Sequence, residues 1–136
     1  MVNWRDWATD KVEFEPEELR AWAYDPDAQE PYEDWDLMIS DVELGPTLVE
    51  LVADPNCPHR EYLLGVLYIL SGDAVRTEYW RASRADLEEV VRRAEQTSDQ
   101  WVMTWARRTR ALIAAPEMFE YYAWCDHGLA RRPVDD

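Results

Sequence analysis

Apolar residues recur at helical spacing from residue 46 onward, between turn signals that end each run. Residues 46–53 form one such run, bounded by Gly45 and Asp54-Pro55. Residues 58 to about 70 form the next, closed by Ser71-Gly72, and their apolar side chains cover most of a helix circumference. Because a helix that is apolar all round belongs in the interior, this pattern predicts a buried central helix.

Further helices are predicted downstream. Residues 83–95 begin with a serine that is followed three residues later by an acid, which resembles a capping box. Ser98 or Asp99 is expected to cap the next helix, with apolar residues on its inner face and arginines opposite them. Residues 116–126 predict a last helix, and Gly128 is well placed to follow its C-terminus.

The first third of the chain is less regular. Residues 16–23 predict a short helix that ends before Asp25-Pro26, because a residue that precedes proline is pushed out of the α region. Residues 25–34 read as a polar loop interrupted by prolines. Residues 35–42 are too few for periodicity to decide between a helix and a strand.

The predicted fold class is all-α, with helical hairpins packed as a compact bundle or as a short HEAT-like array. A chain of 136 residues is one ordinary domain. Within this single domain, 1–136, we expect an acidic and less regular segment at 1–45, a helical core at 46–128 and a tail at 129–136.

The two central helix pairs resemble each other in hydrophobic pattern. Sliding the sequence by 39 residues places Leu48 on Leu87 and Arg60 on Asp99. A period near 40 in helix–turn–helix units is typical of HEAT-type repeats, in which neighbouring pairs bury each other's apolar faces. Since any two hairpins of similar length match in part, a generic helical bundle is the alternative.

The formal charge of −15 is concentrated at one end of the chain. Residues 1–50 hold fifteen acids against three bases, a net of −12, whereas residues 51–136 hold fourteen acids against eleven arginines. Such segregation costs stability through self-repulsion unless a cationic partner or ion relieves it. Nucleic acid is not expected as a partner, because it requires a basic surface. Solubility is the alternative explanation of the acidic surface.

The aromatic and acidic residues near position 30 indicate a surface for a basic protein. Tyrosine and tryptophan are rigid anchors in interfaces, and flanking carboxylates attract and select a cationic surface. Alternatively, the two aromatic residues of this segment cover the core from a long loop. The predicted contact residues are Glu30, Tyr32, Glu33, Asp34, Trp35, Asp36, Asp41 and Glu43.

Both cysteines and both histidines occur as Cys-x-His: Cys57 with His59, and Cys125 with His127. Together they make a possible Cys₂His₂ set for zinc, but structural zinc sites usually separate paired ligands by two to four residues. On a helix, moreover, Cys-x-His points its two side chains apart. We therefore expect no metal site and no cofactor, with the cysteines as small, buried, reduced thiols.

Signatures of catalysis are absent from the sequence. It contains no phosphate-binding glycine loop, Gly-x-Ser-x-Gly, His-Glu-x-x-His or EF-hand motif. Pairs of carboxylates occur, but 29 acids produce such pairs by chance. We expect no enzyme. No apolar run is long enough for a membrane span, and no secretory signal precedes the first helix, so we expect a cytoplasmic protein.

A small acidic helical chain with tryptophan-rich patches, thirteen arginines to one lysine and no catalytic motif resembles bacterial immunity proteins that neutralise polymorphic toxins. Some of those proteins have HEAT-like folds. The resemblance implies a cytoplasmic inhibitor that covers a basic toxin or enzyme with its carboxylates. The alternatives are a helical scaffold, adaptor or homodimer and, third, an enzyme whose carboxylate site lacks a recognisable motif.

Overall fold

The computed structural model describes residues 3–126 and 128–134, and every regular element within them is helical. Short 3₁₀ turns lie at Trp4–Asp6, Val42–Leu44, Pro116–Met118 and Leu129–Arg131, and a π-helical turn lies at Tyr122–Asp126. The predicted all-α class is confirmed, with the helices packed against one another as a bundle. The α-helices are α1 (Pro16–Ala23), α2 (Trp35–Ile39), α3 (Gly45–Ala53), α4 (Arg60–Arg76), α5 (Trp80–Glu95) and α6 (Gln100–Ala114).

Helix α4 is the centre of the bundle. Most of its residues are buried, including Leu63, Leu67 and Tyr68 with no exposed surface, as a helix that is apolar all round requires. The α3–α4 hairpin lies beside the α5–α6 hairpin, so that α3 packs on α5 and α4 on α6. Among the described residues, no helix is both long and apolar enough to cross a membrane.

Arg60, the first residue of α4, joins the two hairpins. Its Nε donates to the carbonyl of Val52 in the last turn of α3 at 3.0 Å, and its Nη2 donates to Asp99 Oδ1 at 2.7 Å. Asp99 in turn caps α6, because its Oδ2 accepts the N–H of Val102 at 3.0 Å. The Arg60 guanidinium also lies 4.0 Å from the ring centre of Trp101. One side chain therefore holds the end of α3 beside the start of α6.

An aromatic cluster fastens the acidic segment to α4. Trp22 and Trp35 lie at its middle, with ring centres 4.5 Å apart, and His59 lies 4.5 Å from Trp22. Because rings at these distances pack closely, residues 7–35 are an ordered part of the domain rather than a loose extension of it. The aromatic cluster consists of Trp7, Phe14, Trp22, Trp35, His59 and Tyr62.

The predictions for α1 and α3 hold. Helix α1 covers the predicted residues 16–23, and α3 begins one residue before the predicted 46–53. The segment 35–42, which the sequence left open, forms the single turn of α2 followed by a 3₁₀ turn. Asp99 rather than Ser98 is the cap of α6.

Two predicted helix boundaries are wrong. Helix α4 continues past Ser71-Gly72 to Arg76, because the Ser71 hydroxyl donates to the Leu67 carbonyl at 3.1 Å and stays within the helix. Helix α5 starts at Trp80, so Ser83 is not its cap: the Ser83 hydroxyl instead donates to the Trp80 carbonyl at 3.2 Å. Both serines bond back to the preceding turn, as serine does inside helices.

The predicted last helix over 116–126 is also wrong. A 3₁₀ turn and a π-helical turn replace it, separated at Phe119, whose backbone is extended with φ −60° and ψ 130°. This break lets Phe119 and Trp124 pack on α4 beside Gly72. Gly128 has φ −110° and is therefore not the left-handed residue expected after a helix.

Replacement by alanine is expected to change the free energy of unfolding in opposite directions at two glycines of α4. A Cβ at Gly65 meets no atom within 4 Å, whereas a Cβ at Gly72 lies 2.6 Å from Phe119 Cε2 and 3.1 Å from Trp124 Cδ1. Since alanine favours a helix over glycine, Gly65→Ala is expected to raise the free energy of unfolding by about 0.5–1 kcal/mol. Gly72→Ala is expected to lower it by about 1–3 kcal/mol through overpacking.

Urea unfolding followed by circular dichroism measures both variants, and each serves as the control for the other. The same sign of change in both variants would contradict the packing of the C-terminal turns on α4.

The Arg60 junction predicts a large loss of stability in Arg60→Ala. The change leaves the half-buried Asp99 carboxylate without its cation and the Val52 carbonyl without a donor, so we expect the free energy of unfolding to fall by about 2–3 kcal/mol. Arg20→Ala is the matched control, since Arg20 pairs with Glu50 at 3.0 Å on the exposed surface. There the expected loss is below about 1 kcal/mol. Equal losses in the two variants would refute the junction.

Candidate functional site

The carboxylates of residues 1–50 far outnumber the cations that lie near them. All three bases of this segment are already paired, and the other twelve of its acids have no ion-pair partner in the described part of the chain. Unpaired charge of one sign repels itself and attracts a surface of the opposite sign. The three pairs are Arg5–Asp25 at 3.7 Å, Lys11–Glu18 at 3.2 Å and Arg20–Glu50 at 3.0 Å.

Most of the predicted contact residues lie at the surface. Five of the eight are exposed, and Tyr32 and Asp36 are half-buried, with the Tyr32 hydroxyl donating to the Lys11 carbonyl. These seven residues line the outside of the segment between α1 and α3. The exposed five are Glu30, Glu33, Asp34, Asp41 and Glu43.

Trp35 is the exception, and its prediction as a contact residue is wrong. Its side chain has 0% exposed surface and packs in the aromatic cluster. Trp35 and Ile39 lie four residues apart on α2, so one face of this single turn is buried by both. The alternative, that this tryptophan covers the core, holds for Trp35.

Asp34 presents its carboxylate from an unusual backbone conformation. Its φ of 63° and ψ of 22° place it in the left-handed region, and it is the only non-glycine residue with positive φ among those described. Aspartate enters this region more easily than most residues, at some cost in energy. The conformation turns the chain from the polar loop into α2 and leaves Asp34 exposed at the corner.

Helix α2 contributes to two acidic grooves. The first, of about 290 Å³, has exposed Val12 and Met38 beside carboxylates that include Glu13 and Glu43. The second, of about 510 Å³, we call the α2–α4 groove. It is lined by Asp36 from α2, Glu61, Tyr62, Gly65, Val66 and Ile69 from α4, and Tyr121, Cys125, Asp126, Ala130 and Arg131 from the C-terminal turns.

The charge of Asp36 is poorly compensated in the α2–α4 groove. Burial raises the pKa of this carboxyl above its ordinary value, and the nearby Glu30 raises it further. Glu30 is held close by because its Oε1 accepts the hydroxyl of Tyr62 at 2.7 Å. Burial and this hydrogen bond raise the pKa of Tyr62 as well. The groove thus holds a half-buried carboxylate, and none of its described lining residues on α2 or α4 is cationic.

Of the four residues considered as zinc ligands, the three that the structure describes each contact a backbone carbonyl of the chain. His127 lies outside the described residues. Cys57 is buried with its thiol 3.6 Å from the Ala23 carbonyl, while Cys125 packs against α4, and His59 Nε2 lies 2.7 Å from the Asp25 carbonyl. No group of three metal-ligating side chains occurs within 3–126 and 128–134.

Neither thiol is placed to act as a nucleophile. Burial raises the pKa of Cys57, and burial with the nearby Asp73 raises the pKa of Cys125 to about 11. Because the thiolate is the reactive form, both groups are almost wholly protonated near neutral pH.

A larger cavity that the sequence did not predict lies along α6 and the end of α5. It measures about 640 Å³ and is lined by residues that include Met103, Arg107 and Glu95. Met103 is 47% exposed, and Arg110 binds both carboxylate oxygens of Glu95, at 2.6 and 2.7 Å. The arginines on the outer face of α6 were the available signal for this surface.

The burial of Asp36 predicts how the variant Asp36→Asn changes stability as a function of pH. Since its pKa is higher in the folded than in the unfolded chain, ionisation opposes folding above these pKa values and has no effect below both of them. Asp36→Asn is therefore expected to raise the free energy of unfolding at pH 7, with the gain vanishing as the pH falls through the unfolded-state pKa. Urea unfolding over a pH series measures it.

Asp54→Asn is the control with the opposite sign. The Tyr24 hydroxyl, 2.6 Å from Asp54 Oδ2, and the N–H of Asn56 hold the pKa of Asp54 below its ordinary value. Its ionised form stabilises the fold at neutral pH, so the variant loses stability there, and the loss disappears as the pH falls through the lowered pKa. A gain in this variant together with a loss in Asp36→Asn would contradict both assignments.

Comparison with family models, with curated proteins and with solved structures finds no match to this chain.

Proposed function

We propose that this chain is a protein-binding module that inhibits a basic protein through its acidic surface, in the manner of a bacterial immunity protein. The observation that supports the proposal is the excess of unpaired carboxylates in residues 1–50, twelve of which have no ion-pair partner in the described part of the chain. A basic partner would relieve their mutual repulsion, and the free energy released would add to binding.

The way these carboxylates are held favours recognition over simple solubility. Acids that serve only solubility need no fixed position, whereas these lie on a segment fastened to α4 by the aromatic cluster. A surface that is already ordered loses little entropy when a partner binds. Its field also speeds the encounter, and the effect weakens as salt is added.

The proposed contact residues are the exposed acids of this segment, with Tyr32 and Asp36 at their margin and Trp35 omitted. The proposed partner is a basic protein, most specifically a toxin whose active site is cationic. The chain and this partner would meet in the cytoplasm. No catalytic step is assigned to the chain. The exposed acids are Glu30, Glu33, Asp34, Asp41 and Glu43.

A HEAT-like origin of the two hairpins is part of the same proposal. The 39-residue offset aligns Arg60 with Asp99, and these two side chains bind each other directly where α4 and α6 begin. Equivalent positions of adjacent repeats meet in this way in stacked helical arrays.

A helical scaffold or homodimer is the second candidate. The cavity along α6 favours it, because Met103 is exposed there beside apolar surface outside the acidic segment. Sedimentation equilibrium at high salt tests it: self-association that Met103→Glu abolishes would support a homodimer, and a monomer at every concentration would exclude one.

Charge neutralisation predicts a slower encounter with the partner. A tagged full-length chain is used at low salt to capture the partner from its source organism, and the association rate is then measured. The triple variant Glu33→Gln, Asp34→Asn, Glu43→Gln is expected to associate about tenfold more slowly at low salt. In about 1 M salt, where the Debye length is about 3 Å, the variant and the original chain should associate at similar rates.

The matched control changes three exposed acids outside this segment: Glu78→Gln, Asp86→Asn and Glu117→Gln. It alters the net charge by the same three units, so an equal slowing in both triple variants would mean that total charge, rather than this surface, governs association. Capture of no basic protein at low salt would overturn the proposed function.

A further inference from the structure

The α2–α4 groove has a floor of bare helix backbone. Gly65 lies in the middle of α4, and a Cβ built on it would meet no atom within 4 Å. Packing within the chain therefore does not require glycine here, in contrast to Gly72 on the same helix, whose Cβ would meet Phe119 and Trp124. Glycine weakens a helix interior, and it is useful where another molecule must approach the backbone closely.

The walls of this groove combine apolar and aromatic surface. Ile69 extends the floor along α4, Tyr62 is half-buried on one side, and Tyr121, 45% exposed, faces in from the C-terminal turns. Tyrosine rings attract cations over their faces. The volume of about 510 Å³ is enough for one long side chain and its backbone.

The charge in the groove is negative. Asp36 is half-buried without an ion-pair partner in the described chain, Glu61 is exposed at the rim, and Asp126 also lines the groove. Glu30 lies beside Asp36, bound to the Tyr62 hydroxyl. Arg131 is the one base among the described lining residues, and it is exposed.

We propose that the α2–α4 groove receives an arginine side chain of the basic partner. Its aliphatic stem lies along Gly65 and Ile69, and its guanidinium binds the Asp36 carboxylate between the rings of Tyr62 and Tyr121. Arginine fits better than lysine, because a planar guanidinium stacks on aromatic rings and binds a carboxylate through two donors at once. This assignment rests on the proposed function and names the anchor of that interaction.

The test uses the isolated full-length chain and small probes, so it needs no partner. The ¹⁵N-labelled protein is titrated with N-acetyl-arginine amide, with the lysine analogue, and with the citrulline analogue, which has the same shape as arginine but no charge. We expect the arginine probe to shift the amides of Asp36, Tyr62, Gly65 and Tyr121 with a dissociation constant of about 1–10 mM. Lysine is expected to bind about fivefold and citrulline at least about tenfold more weakly.

Two pairs of variants locate the probe. Gly65→Leu fills the floor and Asp36→Asn removes the charge, and each is expected to weaken arginine binding about fivefold or more, without loss of thermal stability. Their controls, Ala111→Leu and Asp86→Asn, make similar changes at exposed positions outside the groove and should alter binding less than about twofold.

Shifts spread evenly over the surface carboxylates, equal binding of arginine and citrulline, or full binding to Gly65→Leu would each overturn the groove assignment. If the arginine probe fails here while the captured basic partner still binds the acidic surface, the groove assignment is wrong and the proposed function stands. If the probe binds but no basic partner is captured, the proposed function is wrong and the groove is a guanidinium site of another kind.

Discussion

The relative position of the two hairpins depends on the guanidinium of Arg60. A bundle that buries the end of α3 must supply a donor to its last carbonyls, and Arg60 does so while it also binds Asp99 and covers the Trp101 ring. Only a planar group with several donors reaches three such partners at once. The side chains of Arg60 and Asp99 are each 17% exposed, so water and salt weaken this pair far less than the pairs on the surface.

The acidic segment stays folded because ring burial exceeds charge repulsion. A buried aromatic side chain removes roughly 150–250 Å² from water, which corresponds to about 4–6 kcal/mol. Two exposed like charges 4 Å apart cost only about 1 kcal/mol in water, and less in salt. Trp22 and Trp35 have almost no exposed surface. Their burial therefore keeps the acidic segment packed on α4 despite the repulsion among its exposed carboxylates. The protein can keep its carboxylates unpaired because the core beneath them does not depend on their charge.

Structural features that depend on neighbouring residues were predictable from the sequence. Features that depend on contacts between distant residues were not. The end of α1 before Asp25-Pro26 and the cap at Asp99 depend on neighbouring residues, so the sequence reveals both. Helix α4 continues through Gly72, where it packs against Phe119 and Trp124 from a distant part of the chain. For the candidate site, the acidic character and the surface position of most proposed contact residues were predictable. The sequence offered the burial of Trp35 only as an alternative and did not predict the α2–α4 groove, because both depend on how α2 packs against distant parts of the chain.

The separation of the acids from the rings beneath them has a consequence for how such a protein changes over generations. Substitutions at exposed positions usually alter stability by less than about 0.5 kcal/mol, whereas the buried rings tolerate little change. Glu33, Glu43 and their neighbours are exposed and lie outside the aromatic cluster, so mutation is able to alter them one at a time without unfolding the domain. Under the proposed function, a lineage that meets new variants of a basic partner would change these exposed carboxylates one at a time and keep Trp22 and Trp35.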